Sequence, residues 1–365
     1  MKKLALAVAA LGAGTSAYAG GLERTPQSMA VLFEEGRYLE FSFGYVAPDV
    51  SGFAPPPPVS TGGASGSMLD SYSNLGFAYK ADLNEKLSYA VIFDQPYGAD
   101  TNYPTGTTNP FTGSTAQVRS NALSGILQYN TGTGTSIYGG LRAQSLQAEA
   151  SLFPSTAAYT IDSGTDYKLG YLVGAAYERP DIALRVALTY HSEVTHDLDL
   201  TENSIPFGTD VSTEEVTLPQ ALNLEFQSGV AEDTLVFGSV RWVEWSETEI
   251  NPVQYSTDLF SGFPPLVFFT DDRITYNLGV GRRLNDTWSV LASVGYEENT
   301  GSATGNLGPT DGFKSISLGT VYTKDKFKIT SGIRYVDVGD ATSFSGAVFE
   351  DNTAIAAGVR VGYSF

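Results

Sequence analysis

The sequence predicts an all-β fold: a transmembrane antiparallel β-barrel of about fourteen strands behind a short N-terminal plug segment. Three observations lead there. Apolar and polar residues alternate with period two through most of the chain. No stretch after Ala19 approaches the roughly 20 consecutive apolar residues that a spanning helix needs. Short turns alternate in order with long connections, as they do when strands cross a bilayer back and forth.

At the start of the chain, Lys2 and Lys3 precede an apolar run from Leu4 to Gly14 and the A-x-A site Ala17-Tyr18-Ala19. Residues 1–19 therefore read as a secretory signal peptide, with the mature chain expected to begin at Gly20. Residues 20–36 form a short segment ahead of the first strand, and 37–365 the barrel. About fourteen strands enclose a lumen too wide for wall side chains alone to fill, so this segment, with Met29, Val31, Leu32 and Phe33, is expected inside as a plug.

Alternation is clearest in the last strand. Ile355, Ala357, Val359, Val361, Tyr363 and Phe365 fall on one face; Ala356, Gly358, Arg360, Gly362 and Ser364 fall on the other. The first face suits lipid and the second a lumen. Trp288, Val290, Ala292, Val294 and Tyr296 repeat the pattern, as do Phe327, Ile329, Ile333 and Tyr335. Similar strands are expected at 37–47, 72–81, 86–94, 119–130, 135–148, 165–178, 182–195, 216–228, 233–246, 272–283 and 313–323. Aromatics such as Tyr167 and Tyr177 tip the apolar faces, as interfacial girdles do.

The turns at 82–85, 130–134, 179–181, 231–233, 284–286 and 324–326 are short. The connections at 48–71, 95–118, 149–164, 196–215, 247–271, 298–312 and 339–352 are long. Both chain ends then fall on the short-turn, periplasmic side. The prolines at 55–58 read as a stiff, extended piece of loop.

Composition narrows the function classes. With 21 basic against 40 acidic side chains and a net charge of −19, the chain is a poor partner for nucleic acid. It has no Cys, which excludes disulfides and thiolate chemistry. Its two histidines, His191 and His196, lack a nucleophile elbow or a converging ligand set, so neither catalysis nor a metal is expected. No cofactor is implied.

More telling are apolar residues in segments that should be wet. Phe260, Phe263, Phe268 and Phe269 crowd one connection, Leu152 and Phe153 another, and Ile205, Pro206 and Phe207 a third. Exposed apolar patches of this size mark an interaction surface, or pack together as a lid. They are the candidate substrate-binding residues.

Several short runs, in shared order and spacing, resemble the FadL-type outer-membrane transporters of long-chain fatty acids and other hydrophobic compounds. They are Leu83-Asn84-Glu85-Lys86-Leu87-Ser88, Pro96-Tyr97-Gly98, Tyr190-His191-Ser192-Glu193-Val194, Leu218-Pro219-Gln220, Trp242-Val243-Glu244-Trp245-Ser246, Tyr276-Asn277-Leu278-Gly279, Leu284-Asn285-Asp286-Thr287-Trp288 and Ser317-Leu318-Gly319. The similarity runs through most of 37–365. It implies a monomeric barrel of the bacterial outer membrane, plugged by an N-terminal hatch. Substrate would be captured among the external loops and released sideways into lipid at a kinked third strand. By order that strand is 86–94, running into Asp94-Gln95-Pro96-Tyr97-Gly98, the expected lateral gate. Residues 20–36 are much shorter than the family's usual hatch and lack its Asn-Pro-Ala motif.

The implied partners are long-chain fatty acids, aromatic hydrocarbons and outer-membrane lipid. A fatty-acid carboxylate inside the barrel would need a cationic or hydrogen-bonding partner. Arg185, His191, Arg334 and Arg360, on lumen faces, are the candidates. The alternatives are a general aqueous porin and a structural or adhesin-like barrel without transport.

Overall fold

A computed structural model of the chain describes residues 21–55, 62–154 and 158–365. The signal-peptide reading and Pro56 to Pro58 lie outside the described residues. Period-two alternation folds as fourteen barrel strands. They are β1 (Tyr38–Asp49), β2 (Tyr72–Asp82), β3 (Leu87–Asp94 and Gly98–Asn102), β4 (Thr115–Asn130), β5 (Thr135–Leu152) and β6 (Asp166–Arg179). Next come β7 (Leu184–His191 and Val194–Ser204), β8 (Gly208–Leu218 and Ala221–Ala231), β9 (Thr234–Val243) and β10 (Arg273–Arg283). The ring ends with β11 (Trp288–Glu297), β12 (Phe313–Lys324), β13 (Phe327–Val338) and β14 (Asn352–Ser364). Each pairs antiparallel with its chain neighbours, and β14 returns to β1 with Tyr38 opposite Ser364. The ring is closed, so it has no free sheet edge to satisfy in lipid.

Register explains the two faces. Phe41, Phe43 and Tyr45 stand opposite Val361, Val359 and Ala357 on the outside, all but Ala357 among the large apolar residues left exposed. Between them, Ser42 and Glu40 face inward beside Arg360 and Gly362. The short turns carry their own chemistry. Asn84 Oδ1 accepts the backbone N–H groups of Lys86 and Leu87 at 2.9 and 3.0 Å, and Asn285 does the same for Thr287 and Trp288. Asp233 and Asp325 supply left-handed turn residues, with φ of 58° and 52°, a conformation Asp tolerates better than branched side chains.

Three strands break at their middle, β3 at Gln95-Pro96-Tyr97, β7 at Ser192-Glu193 and β8 at Pro219-Gln220. The two prolines remove ladder donors there. Beyond its break, β7 continues with β8 as an eleven-rung hairpin, Val194 opposite Leu218. The connection 196–215 was expected to be loop. It alternates too, but its outer face carries Asp197, Asp199 and Glu215 instead of apolar residues, so it is strand standing outside the lipid. The strand expected at 233–246 ends earlier, at Val243.

Among the described residues, three apolar clusters fill the interior, the smallest made of Leu235, Phe237, Leu291 and Val321; the two larger ones bear on the site. One, at the short-turn end, gathers Met29, Val31 and Leu32 with Tyr38, Ile126, Tyr138 and Leu172. The other lies toward the long connections and includes Leu22, Tyr97, Leu146, Leu152, Trp245 and Leu266.

Candidate functional site

The segment 21–36 crosses the space inside the ring and is tied to six strands, Gln27 accepting Arg142 of β5 among them. Glu23 accepts Arg241 Nε of β9 at 2.7 Å, Ser28 donates to Glu225 of β8, and Glu34 pairs with Lys328 of β13 at 2.7 Å. Asn74 and Lys80 of β2 donate to the carbonyls of Arg24 and Glu34, and Thr25 Oγ1 donates to Asp94 of β3 at 3.1 Å. Met29, Val31 and Leu32 are buried, while Phe33 packs edge-on to Tyr138. With no disulfide or long helix to hold it, this polar network positions the segment.

At the break in β3 the wall itself changes partner. β2 and β3 pair only from Phe77 opposite Phe93 down to Asp82 opposite Ser88. Above, they rejoin through a bridge between Leu69 and Thr101. Between those points the backbone of β3 turns to the N-terminal segment. Arg24 N donates to Pro96 O, and Gly98 N donates to Leu22 O, each at 2.8 Å, around a bridge of Glu23 to Tyr97. On the β2 side, Gln95 Oε1 accepts Leu75 N at 2.9 Å, so a side chain stands in for a missing strand. Behind this stretch lies a pocket lined by Gln27, Asn74, Phe93, Asp94, Arg142 and Arg360.

A second, more apolar cavity lies under the long connections. Its walls include Leu22, Ala99, Val118, Phe268, Phe269 and Leu307. A series of rings leads inward from it: Phe269 lies 4.9 Å from Trp245, and Trp245 lies 5.4 Å from Tyr97 at the break in β3. An outer series joins four connections, running Tyr103, Phe111, Phe153, Phe260, Phe263 and Phe344 with centroids 5.0–6.0 Å apart. Aromatic pairs at these distances attract beyond their buried area.

The candidate residues thus divide. Phe268 and Phe269 line the apolar cavity; Phe153, Phe260 and Phe263 belong to the outer ring series; Leu152 is buried beneath it. Phe207 sits exposed at the hairpin tip, outside both series. Asp94 to Gly98 all meet at the break in β3. The four lumen candidates do not converge. Arg185 stacks over Phe33, His191 lies 3.4 Å from Arg142, Arg334 covers Phe313, and Arg360 bonds Glu40 at 3.2 Å. Arg273 is the cation at the apolar cavity, and it is bound to buried Asp311 at 2.6 Å.

Sequence reasoning missed Trp245, Tyr103, Phe111, Tyr255 and Phe344. Trp245 was absorbed into a strand; the signal was Ser246-Glu247 after it, which breaks the alternation.

The hairpin also anchors the connection that carries the phenylalanines. Buried Glu202 accepts Tyr159 Oη at 2.8 Å and the N–H groups of Gln254 and Tyr255 at 3.1 Å, and Glu214 accepts Asn251 N. Burial, with Glu202 and Glu249 nearby, lifts the Glu214 carboxyl to about 7, against the opposing bond from Asn251. Burial likewise pushes the Tyr255 hydroxyl up to about 12.

Residues 5–352 match the family model described as outer membrane protein transport protein (OMPP1/FadL/TodX). The chain belongs to this family. Its members are outer-membrane transporters of hydrophobic compounds, which places the barrel in the bacterial outer membrane with its long connections outside. Three solved structures share the fold at low identity. A Pseudomonas aeruginosa FadL homologue is 14% identical, covers 97% of this chain and 96% of its own, and superposes with a TM-score of 0.72. The Ralstonia pickettii toluene transporter TbuX is 13% identical over 97% of each chain, TM-score 0.65. The Pseudomonas putida toluene transporter TodX is 12% identical over 97% of this chain and 100% of its own, TM-score 0.64. No curated protein sequence matches the chain.

Proposed function

We propose that the protein mediates passive uptake of long-chain fatty acids or similarly hydrophobic molecules, aromatic hydrocarbons included, and that substrate leaves sideways through the wall between β2 and β3. The observation that carries this reading is the break at Gln95-Pro96-Tyr97, where β3 gives up its pairing with β2. In hydrocarbon an unpaired backbone costs several kcal/mol per group, and here the N-terminal segment and the Gln95 side chain take up groups that the two strands no longer pair, so the interruption calls for a function. The apolar cavity supplies the start of the route and the ring series Phe269, Trp245, Tyr97 its direction.

The chemistry is partition, without catalysis. An alkyl chain or an aromatic ring leaves water for Phe268 and Phe269, gaining roughly 0.8 kcal/mol per buried CH₂. It passes the N-terminal segment, which acts as the plug, and ends in lipid down its gradient. The cations inside are held by carboxylates, amides or aromatic rings, which favours a ligand recognised mainly by its apolar body.

Uptake by cells lacking the protein, complemented with wild type or with Phe268→Ser plus Phe269→Ser, tests this with a labelled fatty acid and labelled toluene in parallel. The double variant should fold normally, bind about tenfold more weakly and take up less of the true substrate. A matched pair of changes in 298–312 away from the cavity, Ser302→Ala plus Asn299→Ala, is the control. Equal uptake by all three removes the capture site; steady ion conductance by the wild type in planar bilayers makes the barrel a porin instead.

A further inference from the structure

Arg24 belongs to the N-terminal segment by its backbone, yet its side chain ends outside the lumen. Its N–H donates to Pro96 O, and its carbonyl accepts Asn74 Nδ2 at 2.9 Å, from an inward residue of β2. Its guanidinium, however, pairs with Asp100. In the register of β3 with β4, Gly98, Asp100 and Asn102 oppose Arg119, Gln117 and Thr115, whereas Ala99 oppose Val118 and line the inner apolar cavity together. Arg119 is well exposed and reaches Glu149 on that same outer face. Asp100 therefore stands on the outer face of the wall, and Arg24 reaches it from within.

The path is visible in two neighbours. The guanidinium carbon lies 4.1 Å from the centre of the Tyr72 ring on β2. On the β3 side, a Cβ added to Gly98 would come within 2.5 Å of Arg24 Nε and 2.7 Å of its Cζ. Arg24 thus runs between β2 and β3, over a residue that must lack a side chain, where backbone pairing between the strands is interrupted. Gln117 also donates to Asp100, fixing the acceptor on β4.

We infer that Arg24 and Asp100 form the latch that holds this side opening shut, with Gly98 as the groove for the arginine. The idea rests on the proposed lateral route and adds the group that closes it. A planar guanidinium suits the place: it stacks on the Tyr72 ring by one face and keeps its charge paired at its end. Removing either partner leaves a largely buried charge unpaired in the gap between β2 and β3, which favours states in which the segment withdraws.

The chain has no Cys, so a single engineered thiol reports the opening. Ser124, buried on β4 and lining the cavity behind the break, is the position: Ser124→Cys in protein reconstituted into phosphatidylcholine vesicles. The probe is a lipid-soluble maleimide delivered in the bilayer, with a charged, membrane-impermeant thiol reagent as its aqueous counterpart. Arg24→Ala, Asp100→Asn and Gly98→Ala should each raise lipid-phase labelling about fivefold or more, and Arg24→Asp with Asp100→Arg should restore the slow rate. Heat-modifiable migration verifies folding of each variant; Asp100→Asn, which removes no contact of the plug backbone, stands if Arg24→Ala fails to fold. Unchanged lipid-phase labelling in the folded variants overturns the latch, as does faster labelling by the aqueous reagent alone. Faster lipid-phase labelling with unchanged uptake of every hydrophobic substrate upholds the latch and removes the transport reading.

Discussion

Glu214 shows how one carboxyl sets the behaviour of a loop. It takes its proton near 7 in the fold and near 4.5 when unfolded, because burial penalises its charge. The folded form binds more protons between those values, so the local stability it confers is full below about pH 4.5, falls as pH rises and is lowest above 7. Amide exchange in the stretch 249–256, corrected for the intrinsic rate, should therefore show weaker protection at pH 8 than at pH 5. Glu214→Gln should flatten that difference; an unchanged pH dependence in the variant would place the titration elsewhere. Glu202, held by a tyrosine hydroxyl and two backbone donors, fastens the same connection.

Among the elements, the N-terminal segment is held by side chains rather than by a fold of its own. It has one 3₁₀ turn, Ala30–Phe33, and bonds to β2, β3, β5, β8, β9 and β13. Deleting Thr25 to Glu34 should leave the ring intact and raise ion conductance in planar bilayers, since a fourteen-strand lumen is wider than its wall side chains fill. Unchanged low conductance would mean that the external connections alone form the seal. The strands were legible from the sequence because one face of each meets lipid: Ile355 to Phe365 needed no tertiary information. The hairpin was not, since Asp197 and Asp199 erase the lipid signal while leaving the alternation. Nor was the ring series legible. Tyr103 and Phe111 share one connection while Phe153 and Phe344 come from two others, and only closure of the barrel brings them together. The same holds for Arg24 and Asp100, 76 positions apart, whose meeting depends on a broken ladder. The break itself was readable in Pro96.

At the scale of the molecule, nearly every strand presents an apolar outer face, so the folded protein should fractionate with outer membranes and migrate faster on gels before heating than after. Recovery in the soluble periplasmic fraction would contradict the barrel in membranes. The absence of cysteine means that reducing agents should change neither result.

The seam between Tyr38 and Ser364 carries a temporal consequence. The first and last strands of the chain are the two sides of one joint, so the ring stays open until the final residues have arrived. The segment that fills the centre precedes the first of those strands. Its place inside must be settled before, or as, the joint closes, because once closed the wall offers no free edge. Sequence distance here works as a clock: the residues made earliest wait longest for their partners, and long-range pairing of this kind is slow. A change near the seam, at Phe365 or Arg37, whose backbones bond at 3.0 Å, would then register in the rate of assembly before it registers in the finished barrel.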